Sequence, residues 1–250
     1  MFFTYLDLTG FGLLKGVQNM IDGDKVLNLD LYKKFRSGDA PDTFHHVSFK
    51  TMNYDRMVDF YEKLFGCKPM YKSKEITFMT FDEEHHRIAI ANTKPVFENL
   101  GFIPRLVMKF KNWINRAVPT LVGLDHISYR LNPIDQWFDF YFRAKKQGLE
   151  PYWTINHGWI SGIYYRDPDG NLVEIFYEHW RNDEEFIEEV AKKGFPEEPV
   201  GTNMDIEVLH QMFKEGVPYE ELVKKGNTVP EGKKPIYGIE AAMNMRKKFK

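Results

Sequence analysis

Two segments of the chain share one pattern of hydrophobic and polar positions. Residues 44–49 (FHHVSF) and 124–129 (LDHISY) show the period-two alternation that predicts a half-buried strand. His46 and His126 occupy the same point of the two segments, 80 residues apart. In each segment the histidine and the serine two residues after it share one face. The chain therefore contains an internal repeat, and the two histidines are equivalent positions within it.

The sequence after each strand repeats as well. An apolar stripe at helical spacing runs from Asn53 to Gly66 in the first copy, and a second one runs from Pro133 to Gly148. Three short strand-like runs follow each helix; they lie near 68–74, 75–82 and 86–91 in the first copy and near 150–156, 161–167 and 172–178 in the second. Each copy thus predicts the order βαβββ, and the fold class is α+β, with two tandem βαβββ modules forming one pseudo-symmetric metal-binding cavity.

The remaining segments flank or join these modules. The predicted organisation is an N-terminal helical extension (1–42), a first module (43–94), a linker with a helix (95–121), a second module (122–180) and a C-terminal helical extension (181–250). The extensions are broken by glycines or prolines, and their role does not follow from the sequence.

Composition narrows the classes of partner. The formal net charge is −2, with 34 basic and 36 acidic residues, so no basic surface for nucleic acid is expected. No apolar run approaches the roughly 20 residues that span a bilayer, and the first residues lack the basic start of a signal peptide. The single cysteine, Cys67, precludes an intrachain disulfide and fits a reducing compartment. A cytoplasmic protein is expected.

The paired histidines and one glutamate form a candidate metal site. Glu174 lies in an apolar strand, where a buried carboxylate without a partner would be costly and a cation would remove that cost. We therefore predict His46, His126 and Glu174 as metal ligands; His45 is the rival for the first, but it aligns with Asp125 in the repeat. Two imidazoles and one carboxylate leave coordination positions open, which suits non-haem Fe(II), and Mn(II) accepts the same donors.

The first repeat offers no fourth ligand. The position that matches the glutamate falls in the apolar run 88–90 (IAI). The pattern thus favours an open three-ligand site over a more filled one.

These motifs resemble the vicinal oxygen chelate superfamily and, within it, the type I extradiol ring-cleaving dioxygenases. The resemblance covers roughly residues 43–179 and is strongest in the runs HVSF (46–49), FY (60–61), LFG (64–66), DHI (125–127) and YYRDPDGNLVE (164–174). It implies the glyoxalase fold. The superfamily also contains glyoxalases, epimerases and antibiotic-resistance proteins, so the fold alone does not define the reaction.

Further matches imply particular roles. The paired histidines before the last strand of the first module resemble those of extradiol enzymes, which makes His86 the acid/base residue. His157 and Tyr164 resemble the second-sphere histidine and tyrosine that hydrogen-bond substrate and bound oxygen. The resemblance implies an Fe(II)-dependent enzyme of aromatic catabolism that cleaves catechol or a 2,3-dihydroxybiphenyl-like diol with dioxygen. It also implies a homodimer or a higher homo-oligomer.

Two other classes of function fit the same residues. One is another metal-dependent enzyme of the superfamily, such as a glyoxalase-like isomerase or a thiol transferase. The other is a non-catalytic protein that binds a small aromatic molecule in the cavity. Metal content separates the binding protein from both kinds of enzyme, because pure sequestration needs no open metal site.

Overall fold

The structure, a computed structural model, describes residues 20–22, 25–27, 44–117, 123–180, 182, 185 and 200–229. Its contacts divide the chain into two units, one made of 1–44 with 180–197 and the other of 45–179 with 198–250. No helix in the described part is long and apolar enough to cross a membrane.

The described part of the first unit differs from the predicted helical extension. Strands β1 (Met20–Asp22) and β2 (Lys25–Leu27) pair antiparallel, with Met20 opposite Leu27. Two residues separate the strands in the sequence, a spacing typical of a hairpin, which outweighs the weak helical pattern here. The other residues of the predicted extension lie outside the described residues.

The first module of the second unit is a four-stranded sheet with one helix between its first two strands. Its elements are β3 (Val47–Thr51), α1 (Tyr54–Phe65), β4 (Pro69–Lys72), β5 (Ile76–Met79) and β6 (Ile88–Asn92). The strand order is β3-β6-β5-β4, in which β3 and β6 are parallel and the other neighbours are antiparallel. The predicted βαβββ order is confirmed.

The second module repeats this plan and adds one strand. Its elements are β7 (His126–Arg130), α4 (Ile134–Lys146), β8 (Trp153–Asn156), β9 (Ile160–Arg166) and β10 (Leu172–Glu178). With the added strand β11 (Thr202–Asn203), the order is β11-β8-β9-β10-β7, and β10 is parallel to β7 as β6 is to β3. Strand β11 comes from the segment predicted to be helical, because its backbone completes the open edge of β8.

The alternation along the strands explains how each helix is held. In the first module the apolar face of β3 and β6 carries Phe49, Ile88 and Ile90 toward the core that also contains Met57 and Leu64 of α1. All five are at most 9% exposed. Burying side chains of this size contributes roughly 1.5–3 kcal/mol each, before the entropy cost of ordering them.

The same arrangement recurs in the second module. Ile163, Val173 and Ile175 face the core on which α4 lies, and Trp137 of α4 is fully buried there. Its Nε1 donates to the carbonyl of Ile175 at 3.0 Å, so the one polar atom of the side chain is satisfied. The opposite face of the sheet is therefore available for polar side chains.

Hydrogen bonds along α1 connect the modules. Arg143 of α4 donates to the carbonyls of Lys63 (2.7 Å) and Leu64 (2.6 Å), so a cation lies at the C-terminal end of α1. Tyr61 of α1 donates to the buried Asp167 in the turn between β9 and β10, at 3.2 Å. The two modules thus share a hydrogen-bonded contact along α1.

Among the described residues, four further helices lie outside the two βαβββ modules. They are α2 (Lys94–Glu98) and α3 (Phe102–Ala117) in the linker, and α5 (Ile206–Lys214) with the short α6 (Tyr219–Leu222) in the C-terminal segment. Helix α3 corresponds to the predicted linker helix. The side chain of Asp205 accepts hydrogen bonds from the backbone of Glu207 and Val208 and thereby caps α5. Residues 230–250 of the predicted C-terminal extension lie outside the described residues.

Candidate metal centre

The strand register of the second module places three polar side chains beside each other. Glu174, in β10, lies opposite Ser128 of β7 and opposite Tyr164 of β9. Directly paired residues point to the same face of a sheet. Glu174 is flanked in its own strand by Val173 and Ile175, which point to the core. The polar group therefore occupies the face turned away from α4.

Glu174 is the centre of this group and is only 2% exposed. Its Oε2 accepts a hydrogen bond from Ser128 Oγ at 2.5 Å and lies 3.3 Å from His126 Nε2. Its Oε1 is buried and finds no hydrogen-bond partner in the part of the chain that the structure describes; His157 Nε2 is 3.8 Å away. Burial alone would raise the pKa of Glu174, but His126, His157 and Ser128 hold it well below its ordinary value.

Carboxylates contact both ring nitrogens of His126 and orient its imidazole. Its Nδ1 lies 2.7 Å from Asp125 Oδ2, while its Nε2 faces Glu174. Hydrogen bonding to Glu174 in particular raises the pKa of His126 to about 9, against the opposing effect of burial. An imidazole whose second nitrogen meets a carboxylate is typical of metal-binding histidines. A bound cation would take the place of the proton that His126 and Glu174 share.

Gly162 leaves the space that the carboxylate occupies. A Cβ at this position would overlap with Glu174 Oε1 and lie 3.2 Å from Tyr164 Cε2. Neither Gly162 nor Ser128 is among the site residues predicted from the sequence. The signals were present: a glycine inside a strand often marks a close approach, and the alternation placed the serine on the face of His126.

His157 and Tyr164 border the same carboxylate. The Tyr164 hydroxyl lies 3.4 Å from His157 Nε2, and the ring of Trp153 packs against that of Tyr164 with centroids 5.3 Å apart. Tyr164 is 4% exposed, and burial raises its pKa well above the ordinary value. The phenol therefore stays protonated at neutral pH and can donate a hydrogen bond.

The other two predicted residues lie together in the first module. His46 is exposed and precedes β3 by one residue, whereas its repeat partner His126 is the first residue of β7. His86 lies in the loop between β5 and β6, with its ring centroid 4.6 Å from that of His46 and 4.9 Å from that of Phe78. Partial burial and then the neighbouring imidazoles lower the pKa of His86.

The six predicted site residues thus form two groups. His126 and Glu174, with His157 and Tyr164, make one group, and His46 with His86 makes the other. Among the described residues, sets of three or more His, Cys, Asp or Glu ligand atoms within 4.8 Å of one another occur only around His45. The structure does not bring His46 into such a set with His126 and Glu174.

The repeat register identifies the counterpart of the buried glutamate. In the first module Ala89 of β6 pairs with Ser48, as Glu174 pairs with Ser128 in the second. Phe78 pairs with Ala89 and so takes the place of Tyr164. The position in the first module that matches Glu174 is therefore an alanine, which offers no carboxylate.

The donor set of the second module fits a divalent cation. The buried carboxylate of Glu174 has one oxygen, Oε1, without a hydrogen bond from any described residue, and the oriented imidazole of His126 faces its other oxygen, Oε2. Both donor types suit Fe(II), Mn(II) and Zn(II).

Comparison with known proteins assigns the family. The sequence model of the Glyoxalase/Bleomycin resistance protein/Dioxygenase superfamily matches residues 43–175, and the chain belongs to this superfamily. The resemblance drawn from the motifs is thereby confirmed, and with it the fold class of paired βαβββ modules.

Two relatives are dioxygenases of Rhodococcus globerulus. The chain is 27% identical over 203 residues to biphenyl-2,3-diol 1,2-dioxygenase 2, which covers 80% of this chain and 98% of the relative. It is 27% identical over 180 residues to biphenyl-2,3-diol 1,2-dioxygenase 3, covering 72% of this chain and 86% of the relative.

Solved structures of the superfamily are more distant. Lactoylglutathione lyase from Agrobacterium tumefaciens is 16% identical with a TM-score of 0.39, covering 55% of this chain and 94% of its own. A glyoxalase/bleomycin resistance protein/dioxygenase from Alicyclobacillus acidocaldarius is 16% identical with a TM-score of 0.40, covering 59% and 98%. Similarity at this level carries no argument about function.

Proposed function

We propose that this protein is a non-haem Fe(II)-dependent extradiol dioxygenase that cleaves catechol or a 2,3-dihydroxybiphenyl-like diol with dioxygen. The observation that carries the proposal is the buried carboxylate of Glu174: its Oε2 faces the oriented His126, and its Oε1 has no hydrogen-bond partner among the described residues. The similarity to two biphenyl-2,3-diol 1,2-dioxygenases supports the choice of reaction. The proposed enzyme acts in the cytoplasm as a homodimer or a higher homo-oligomer.

In this proposal the metal ligands are His126 and Glu174 from the second module and His46 from the first. Fe(II), when bound, supplies a Lewis acid and a path for electrons between diol and dioxygen. Mn(II) is the alternative ion, because it accepts the same donors. Ser128 and Asp125 orient the carboxylate and the imidazole by the hydrogen bonds described above.

The remaining site residues handle protons and orient the reactants. Tyr164, protonated and buried, donates a hydrogen bond to an oxygen of the substrate, and His157 beside it provides a second polar contact. His86 accepts a proton from a substrate hydroxyl and returns it when the ring opens. The ring of Trp153 against Tyr164 gives that side of the site an apolar wall suited to an aromatic molecule.

The experiment that tests the proposal is anaerobic reconstitution with Fe(II) followed by exposure to air and substrate. Oxygen uptake and visible absorbance are recorded with catechol, substituted catechols and 2,3-dihydroxybiphenyl. We expect oxygen consumption matched by a yellow ring-cleavage product. Metal binding without oxygen uptake across the panel would instead indicate a glyoxalase-like isomerase or a thiol transferase. Absence of both would indicate a protein that binds small aromatic molecules.

Variants separate the metal site from the fold. Glu174→Gln is expected to abolish metal retention and activity while the fold persists. Glu178→Gln is the matched control, because Glu178 lies on the same strand and pairs with Arg130. Tyr164→Phe should retain the metal and lower the turnover number. Full activity of Glu174→Gln would refute the assignment of the ligands.

A further inference from the structure

Four histidines and a glutamate cluster at one end of the first module. His45 and His46 precede β3, and Glu84, His85 and His86 belong to the loop between β5 and β6. Their ligand atoms form two sets, each within 4.8 Å: His45 with His46 and His86, and His45 with Glu84 and His85. His45 is common to both sets. The proposed roles of His46 as a metal ligand and of His86 as the acid/base residue account for part of this cluster and leave the second set unexplained.

The two ring nitrogens of His45 face different sets. Its Nδ1 lies 2.8 Å from His46 Nδ1, whereas its Nε2 lies 3.4 Å from Glu84 Oε2. The rings of His45 and His85 are also close, with centroids 4.7 Å apart. The ligand atoms of His45, Glu84 and His85 therefore lie close together, and His45 turns a different nitrogen to Glu84 than to His46. His85 Nδ1 also lies 2.5 Å from His86 Nδ1, so the two sets are neighbours.

The loop that carries Glu84 and His85 is held in place by its own hydrogen bonds. Asp82 accepts from Arg87 Nε at 2.8 and 3.1 Å and from the backbone of Glu84 at 3.2 Å. Arg87 in turn donates through Nη1 to the carbonyl of His45 at 3.0 Å. This chain of contacts ties the loop to the segment before β3. These hydrogen bonds fix the backbone that carries the three donors, so their closeness does not depend on side-chain rotamers alone.

We propose that His45, Glu84 and His85 form a second binding site for a divalent transition-metal ion, separate from His126 and Glu174. Two imidazoles and one carboxylate are donors that Zn(II) and Co(II) accept, with the remaining positions filled by water. The partial exposure of Glu84 and the exposure of His85 give the ion access from solvent. This site does not depend on the proposed dioxygenase activity.

The test counts Co(II) ions bound by the full-length, metal-stripped protein. Equilibrium dialysis gives the stoichiometry, and the visible absorbance of Co(II) reports the ligand environment. The Glu174→Gln variant removes the first site, so we expect it to bind one equivalent. Adding Glu84→Gln or His85→Asn to it should weaken the remaining site by more than about tenfold. Adding Glu83→Gln, an exposed neighbour on the same loop, should leave the binding unchanged.

Two results would overturn the proposal. One is a Glu174→Gln protein that binds no Co(II) although its circular dichroism and thermal unfolding match the parent. The other is a site that survives Glu84→Gln and His85→Asn but is lost in His46→Asn, which would assign the ion to the inner set. Because each variant is compared with its own parent, the count stays informative even if no dioxygenase activity is found.

Discussion

Replacement of Gly162 by alanine tests whether the geometry around the buried glutamate is what the site needs. Gly162 has no backbone conformation reserved for glycine, so the added methyl group acts through space and not through strain. The new Cβ would overlap with Glu174 Oε1 and stand 3.3 Å from Glu174 Cδ. The carboxylate must then move away from the position that faces His157.

The size of the effect follows from that displacement. The overlap forces the carboxylate to shift. Changes in the groups that orient a metal ligand typically cost about tenfold to a hundredfold in metal affinity. We therefore expect metal affinity to fall by about tenfold to a hundredfold. Overpacking costs about 1–3 kcal/mol, which the stiffer unfolded chain offsets by about 0.4–1 kcal/mol. The protein should remain folded.

The assay is Co(II) or Fe(II) affinity measured beside urea unfolding. Gly101→Ala is the matched control, because the nearest atom to its new Cβ, Pro104 Cδ, is at an ordinary 3.9 Å. This control should leave metal affinity unchanged. A Gly162→Ala protein with wild-type metal affinity would show that the position of Glu174 Oε1 does not determine binding, and the proposed ligand geometry would be wrong.

Three further predictions follow from single contacts. Ser128→Ala should weaken metal binding by about tenfold, measured by titration, whereas Ser48→Ala at the equivalent exposed position should not; equal effects would refute the contact. Tyr61→Phe should lower the free energy of unfolding in urea by about 1–3 kcal/mol, because Asp167 is buried and loses a donor; an unchanged midpoint would contradict this. Burial lowers the pKa of His179 to about 4. The unfolded chain binds a proton below about 6.5 and the folded chain does not, so stability should fall by up to about 3 kcal/mol from pH 6.5 to 4. His179→Gln should reduce this dependence of the unfolding free energy on pH, measured by urea unfolding at several pH values. An unchanged pH dependence would show that His179 does not cause it.

The repeat could be predicted from the sequence because it depends on the local pattern of apolar and polar residues. Alternation in the two histidine segments and the helical stripes after them predicted the order βαβββ twice, and both modules have it. The N-terminal hairpin and β11 were not predicted. Short strands of two or three residues are stabilised by pairing with a neighbour, and a single segment of sequence carries almost no sign of the neighbour it will find.

The candidate metal site could be predicted only in part from the sequence. Equivalence in the repeat pointed to His46 and His126, and an acidic residue in an apolar strand pointed to Glu174. The contact of Ser128 with Glu174 and the space left by Gly162 depend on which strand pairs with which, and in what register. Ser128 and Gly162 lie 46 and 12 positions from Glu174 in the sequence, so no local pattern could specify these contacts.

The pattern of residues along the chain was enough to predict the paired modules, the faces of their strands and the residue types able to hold a cation. Tertiary structure decided which of those side chains meet. It placed Glu174 against His126 and His157, and it placed His46 with His86 in the other module. Local preferences act over a few residues, whereas a site is assembled by strand register and packing between distant segments. The sequence therefore predicts which residues can bind a cation. Which of these residues lie together depends on the fold.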